Sequence, residues 1–352
     1  MKMEVRPFEC NDLHSGIGEL LEAAFPRRPE YHDTEWYASL WRWLETHPLA
    51  NETYRWVLTL DGAVAGSISA LPLYYRISGR RVVAHTPGDF MVHPQHGFHA
   101  LALMRTFFRS CQNCVSVDQF EATIKLEKWM GAVQVQNLTY AAKLLDAPRH
   151  AARHSSAAGR LPGHLLRASD NVLGASFGGG LSVEVLDGFD QSFDRFFEAV
   201  AAAAPCMPEK GASFLNWRYG PGSPHARATI LGVRDGERLL GYAVLFTSQR
   251  GRDGYLLDLV TLPGRREVAR ALLVEALRCF RRDRAYIVRY RFLESPNSPR
   301  SRDLGRLGFF FRTSRRSTLL AAFADPELHK AASTPNHWSY SVGDGEGSYW
   351  VL

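Results

Sequence analysis

Cysteine is scarce. Five residues in 352, without an even and regularly spaced set, exclude a disulfide-stapled secreted scaffold and fit a reducing cytoplasm. The one close pair, Cys111 and Cys114, has no second CxxC to complete a zinc set. It reads as two ordinary thiols near a helix end, and no metal is expected. Long apolar runs are missing too. Stretches such as Ala199–Ala204 fall far short of the ~20 residues a membrane helix needs, so no membrane insertion is expected. The opening residues, MKMEVRPFECND, hold no apolar stretch of signal-peptide type, which again points to the cytoplasm. Disorder is excluded by 45% hydrophobic and 12% aromatic content.

What is present is a pattern that occurs twice. The first copy runs Trp43, Pro48, Asp61-Gly62, Gly66, Asp89, Pro94, Gly131. The second runs Trp217, Pro224, Asp235-Gly236, Gly241, Asp258, Pro263, Gly308. The tryptophan stands 18 residues before Asp-Gly in both, and the later aspartate stands 5 before its proline in both. A period of about half the chain predicts two similar domains rather than a short-repeat array. We expect one over 1–147, a linker over 148–180 that is rich in Ala, Gly, Ser, Arg and His, and a second domain over 181–352.

Each half carries the same order of elements. In the first, a strand over 4–10 precedes helices over 17–25 and 36–44. Strands over 55–60, 63–75 and 81–92 follow, with Asp61-Gly62 as a hairpin turn. A helix over 99–109, a strand over 114–118 and a helix over 123–130 complete it. The second half repeats helix 193–203, strands 228–233, 239–246 and 254–262, helix 267–281, strand 285–292, a short helix at 302–307 and a late strand at 317–322. The expected class is α/β, of the α+β type with mixed sheets.

Charge is uneven. Residues 1–147 carry −2, 148–180 carry +3 and 181–352 carry +5. Between 265 and 316 there are 15 arginines, no lysine and 5 acids. That surface is either a solvated basic face or a seat for something anionic, such as coenzyme phosphates, an acidic carrier protein or RNA.

Three segments resemble the GNAT acyltransferases. Gln95-His96-Gly97-Phe98-His99-Ala100, entered through Met91-Val92-His93-Pro94, is similar to the family's acyl-CoA loop. Arg265-Arg266, with Ala269 and Ala271, is similar to the same loop in the second half. Asn297 through Gly308-Phe309 keeps the register of a later family segment. The chain thus looks like two GNAT-like domains in tandem. Phe214–Tyr219 and the tail from Trp338 to Glu346 look like a tandem subgroup found beside sugar-polymer and natural-product pathways.

The resemblance implies an N-acyltransferase using acyl-CoA, acetyl-CoA foremost, as co-substrate, with a small-molecule or carrier-bound amine as acceptor. The donor's pantetheine would lie along Phe90–His93 or Leu259–Leu262. Its diphosphate would meet the following helix N-terminus, which favours anions. Gln95–Ala100, Arg265 and Arg266 are the candidates there. The first copy is preferred, because Glu267 sits in the second loop. Two departures stand out. Phe98 fills a glycine slot, and the family's thiol-protonating tyrosine falls near Glu127 in one half and on Leu304 in the other.

Acyl transfer to an ammonium needs a base. His85, Asp89, Met91 and His93 share one strand face by alternation, so Asp89 or His93 is the first candidate and Asp258 the twin. A buried carboxylate holding a turn is the competing role for Asp89, and the twin at the same register favours it. Trp43 and Trp217 read as core anchors. Trp338, Asp344, Glu346, Arg289 and Arg291 are candidates for the acceptor side. Two alternatives stay open. One is a donor carried by an acyl carrier protein or a tRNA, the only setting in which nucleic acid enters. The other is a degenerate pair of domains that binds without catalysis.

Overall fold

The computed structural model describes residues 2–146, 180–248, 252–313 and 316–350. Most of the expected linker lies outside these. The first half contains β1 (Met3–Pro7), α1 (Asp12–Ser15), α2 (Ile17–Ala24), α3 (Thr34–Leu44), β2 (Tyr54–Leu60), β3 (Ala63–Ile77), β4 (Arg80–Val92), α4 (Ala100–Ser110), β5 (Asn113–Asp118), α5 (Glu121–Trp129), β6 (Val133–Asn137) and β7 (Thr139–Leu144). The second contains β8 (Glu184–Leu186), α6 (Ser192–Ala201), β9 (Cys206–Pro208), α7 (Ala212–Tyr219), β10 (Thr229–Asp235), β11 (Arg238–Thr247), β12 (Asp253–Thr261), α8 (Arg266–Arg282), β13 (Ile287–Phe292), α9 (Ser301–Arg306), β14 (Phe310–Phe311), β15 (Thr318–Phe323) and α10 (Pro326–Ala332). The expected elements recur with shifts of a few residues at their ends.

Among the described residues two mixed sheets form. The first has the order β1-β2-β3-β4-β5-β15-β6, with β9 along β3. The second has the order β14-β7-β13-β12-β11-β10-β8. The sheets do not divide where the linker divides the sequence. Strand β7 of the first half pairs β13 and β14 in the second sheet, and β15 of the second half lies between β5 and β6 in the first. The reason is local. Only Leu138 separates β6 from β7, which is too short for a hairpin return, so the chain runs on into the other sheet.

Trp43 on α3 and Trp217 on α7 meet at the seam. Their rings stack at 4.4 Å and 6°. Each indole N–H donates to the other's carbonyl, Trp43 to Trp217 at 3.1 Å and Trp217 to Trp43 at 3.4 Å. The repeated tryptophan is thus one half of a reciprocal pair.

Gly66 and Gly241 are twins of another kind. A Cβ on Gly66 would lie 2.9 Å from Leu103 Cδ1 and 3.1 Å from the Met91 carbonyl. One on Gly241 would lie 2.8 Å from Val268 Cγ1 and 3.0 Å from the Val260 carbonyl. The glycine lets the following helix press onto the sheet. Gly66→Ala and Gly241→Ala are each expected to cost ~1–3 kcal/mol, read as a fall in denaturant midpoint.

Candidate functional site

In each sheet one pair of neighbouring strands is parallel and separates along its length. In the first, β4 and β5 pair only at His85 and Cys114. Thr86 Oγ1 donates to the Val115 carbonyl at 2.7 Å and closes the narrow end. Beyond it the register of β4 against β3 slips by one residue, and Asp89 takes a φ of +52°. That bulge turns the strand's outward edge toward the cleft. At the wide end His93 N–H donates to the Ala65 carbonyl at 2.8 Å, and Pro94–His99 make a tight turn into α4. No carboxylate lies in the first turn of α4. Gln95, Gly97 and Phe98 are exposed, and a Cβ on Gly97 would touch nothing. His93 Nδ1 accepts from Gln95 N–H at 3.3 Å, so this histidine caps the turn.

In the second sheet β12 and β13 pair from Asp253–Ile287 to Leu256–Tyr290 and then separate. Here the gap is filled. Leu293 N–H donates to the Tyr340 carbonyl at 2.8 Å, and Ser341 bridges Phe292. A Cβ on Gly343 would lie 2.3 Å from the Tyr219 hydroxyl and 2.6 Å from the Leu257 carbonyl. The mouth is also tied: Thr261 N–H donates to the Asn297 carbonyl at 2.9 Å and Gly264 N–H to that of Pro296 at 3.2 Å. Arg265 pairs with Glu267 at 3.1 Å, and Arg266 and Arg270 share Asp303 at 3.1 and 2.8 Å. The two arginines expected to take a diphosphate are held by carboxylates of their own chain.

The segment in that gap continues toward the first cleft. Ser341 Oγ donates to Asp258 at 2.9 Å, and Ser341 N–H to Asp344 at 2.7 Å. Lys210 Nζ lies 2.9 Å from each of these carboxylates, and Tyr242 donates to Asp258 at 2.7 Å. Burial pulls the Lys210 ammonium down, but the two carboxylates outweigh it and hold the lysine above its ordinary value. Burial raises the Asp344 carboxyl against the pull of Lys210. Arg218 is fully buried, and among the described residues no carboxylate pairs with it. It donates to the Gly343 carbonyl at 2.8 Å, to that of Gly345 at 3.0 Å and to Ser348 Oγ.

Two residues beyond Asp344, Glu346 reaches the first cleft. The Asp89 N–H at the bulge donates to Glu346 Oε1 at 3.3 Å, and Trp350 Nε1 donates to the same oxygen at 2.5 Å. Among the described residues, Glu346 is the group that reaches the outward edge of β4 beyond Thr86 by a hydrogen bond. Burial pushes its carboxyl up to about 7, with Asp89 and Asp118 adding to the rise.

The Asp89 side chain points the other way, into the layer of α3. Tyr37 donates to it, Ser67 donates at 3.3 Å, and the Arg55 guanidinium stands 3.7 Å away. Arg55 is itself held over Phe8 and Trp41, 3.4 and 3.9 Å from the ring centres. Burial lifts the Asp89 carboxyl to about 6 although Arg55 opposes it. Asp89 Oδ1 has no partner among the described residues.

No family model and no curated protein matches the chain. Solved structures do. A tandem GNAT protein from the clavulanic acid biosynthesis pathway aligns with a TM-score of 0.55, 16% identity, and 92% of this chain on 99% of that one. A GCN5-related N-acetyltransferase from Sphaerobacter thermophilus gives 0.53 and 15%, covering 92% and 96%. N-myristoyltransferase from Saccharomyces cerevisiae, with bound myristoyl-CoA, gives 0.61 and 10%, covering 94% and 88%. The chain has a tandem GNAT fold.

Within that tandem GNAT fold the expected site residues separate into groups. Met91, Val92, His93 and Gln95–Ala100 line or adjoin the first cleft. Asp89 contributes its backbone there while its side chain faces α3. Asp258, 1% exposed and wrapped by Lys210, Tyr242 and Ser341, belongs to the tail. Trp338 is core: it is 1% exposed, donates to the Ala332 carbonyl at 2.7 Å and meets Tyr75 edge-on. Arg289 binds Asp253 at 2.6 Å and the Tyr140 hydroxyl at 2.7 Å, and Arg291 lies over the Tyr140 ring. By alternation both face away from Tyr290 and Phe292, which belong to the large core of the second sheet, so they do not join Asp344 and Glu346. The shared face expected for His85 and Met91 is also corrected. The bulge at Asp89 adds a residue, so alternation reverses across it, and His85 bonds the Glu52 carbonyl at 3.0 Å.

Several contributors were missed, among them Tyr37, Arg55, Lys210, Arg218 and Ser341. Lys210 left a trace, being the only lysine between Lys143 and Lys330, a stretch that otherwise uses arginine. Arg218 sits inside the Phe214–Tyr219 motif, and its long-range partners are the tail that was singled out beside it. The Cys111 thiol is buried and burial pushes it up to about 12, as an inert core cysteine requires.

Proposed function

We propose that this protein is an N-acyltransferase that draws its acyl group from acyl-CoA, and that only its first cleft holds the donor. The carrying observation is the asymmetry of the two clefts. The second is filled by residues 341–344 and its arginines are paired, whereas the first keeps the acid-free turn at Gln95–Ala100.

The donor supplies an activated thioester. The turn into α4 offers an acid-free helix N-terminus, positive by the helix dipole, to its diphosphate. The β4 edge offers main-chain groups to the pantetheine arm. We assign the Asp89 amide, which donates to a Glu346 oxygen, to hold the thioester carbonyl oxygen. That exchange frees the Glu346 carboxylate to take the proton that the amine sheds as its bond to the acyl carbon forms and the carbon–sulfur bond breaks. A thiol near ~8.5 makes the thiolate a tolerable leaving group without a tyrosine acid. A base at about 7 suits an amine near ~7.7–8.0 better than a lysine-like ammonium near ~10.4, which favours an α-amino group or a similarly weak amine as acceptor.

Calorimetric titration with acetyl-CoA, acyl carrier protein and tRNA tests the donor class. Gly97→Asp should weaken acyl-CoA binding by ~10-fold or more, because it places a carboxylate at the diphosphate without crowding the fold. Arg265→Ala, on the exposed second loop, should leave binding unchanged. The reverse pattern would move the donor to the second half, and saturation only with a carrier or tRNA would replace acyl-CoA.

A further inference from the structure

We propose that the second cleft is a mooring for the chain's own tail, and that Lys210, Asp258, Ser341 and Arg218 are positioning residues that hold Glu346 in the first cleft. This rests on the reading of the first cleft as the reaction site.

The first argument is charge. Lys210 and Arg218 balance Asp258 and Asp344, and all four are nearly or wholly buried, at 4, 0, 1 and 7% exposure. An apolar plug would close a gap between two strands at less cost, since buried ion pairs often fail to recover their desolvation. What charges add is direction. Each carboxylate here accepts from more than one donor: Asp258 from Lys210, Tyr242 and the Ser341 hydroxyl, and Asp344 from Lys210 and the Ser341 N–H. Arg218 then fixes the carbonyls on either side of Asp344. A segment bound in this way has one register.

The second argument is reach. Glu346 follows Asp344 by two residues, so it cannot lie more than ~7 Å of extended chain from the mooring. Beyond it, Ser348 Oγ returns to Arg218, the Ser348 carbonyl meets His225 at 3.0 Å, and the Trp350 carbonyl accepts from Tyr31 at 3.0 Å. Glu346 is therefore held from both sides, by the second half before it and by both halves after it. In this arrangement one copy of the repeat presents the tail to the other.

The test compares Ser341→Ala, Asp258→Asn and Glu346→Gln in the full chain, with acetyl-CoA and the best amine found by screening. Three readouts are needed: donor Kd, the kcat and KM of the acceptor, and the pH profile of kcat/KM. Ser341→Ala and Asp258→Asn should keep donor Kd within ~3-fold, lower kcat ~10-fold or more, and displace the pH inflection that Glu346→Gln removes. Hydrogen exchange should rise in the peptide covering 340–348. Should Asp258→Asn fail to fold, Ser341→Ala, which removes only a hydroxyl, carries the comparison. A slow Glu346→Gln beside a Ser341→Ala enzyme with wild-type kcat and pH profile would overturn the mooring role and leave the first-cleft reading standing. A wild-type Glu346→Gln would overturn both the mooring role and Glu346 as the base, while the donor's place is tested separately by Gly97→Asp.

Discussion

Glu346→Gln should lower kcat/KM by ~10²-fold or more while donor affinity changes little, and the rise of rate with pH through about 7 should disappear. The glutamine keeps the size of the side chain and an oxygen for the Asp89 and Trp350 donors, so the tail should stay in place. What it loses is the ability to take a proton. In the wild type the carboxyl is raised, so rate grows as pH climbs through its titration and levels above it. Asp89→Asn gives a different result. Its charge is among the causes that raise Glu346, so removing it should move the inflection to lower pH rather than abolish it. It also takes a charged acceptor from Tyr37, Ser67 and Arg55, so it should lower thermal stability as well. A 10²-fold loss with no pH step in Asp89→Asn, beside a near-normal Glu346→Gln, would return the base to Asp89.

Much of the architecture was legible because its signals are local. The Asp-Gly hairpins, the helix after each Pro94-type junction and the paired glycines each follow from a few neighbouring residues. The paired tryptophans announced a repeat, and a repeat implies matching folds. Their contact with one another did not follow, because it depends on how the halves meet. The exchange of β7 and β15 was hidden for a similar reason. Val133–Asn137 and Thr139–Leu144 are absent from the strands expected from sequence, and nothing in either segment states which sheet it joins. The Asp89 bulge was equally silent. One extra residue in β4 leaves the composition unchanged yet reverses the faces on either side of it. The tail's role rests on side chains far apart in sequence, with Lys210 and Arg218 meeting residues 341–348. Sequence alone marked both ends of that contact as unusual without joining them.

Glu127 carries the other large effect, on stability. It stands on α5 near the position where the resemblance implies a tyrosine, is wholly buried, and accepts a hydrogen bond from Ser116, while its second oxygen has no partner among the described residues. Burial lifts the carboxyl to about 8, with Asp118 adding to the rise and Ser116 opposing it. The sign follows from proton counts. Above ~4.3 the unfolded chain releases this proton, whereas the folded protein keeps it until about 8. Across that window the native state binds more protons, so this residue's contribution makes stability fall as pH rises. At pH 9 the folded protein must hold a buried carboxylate, at a cost of at most about 5 kcal/mol. Glu127→Gln removes the charge and keeps a partner for Ser116. The variant and the wild type should melt at similar temperatures at pH 5, and the variant should be the more stable by a widening margin at pH 7 and pH 9. Melting curves that stay parallel across this range would mean that Glu127 titrates alike in the folded and unfolded states, and that its burial has been met by a partner on the protein.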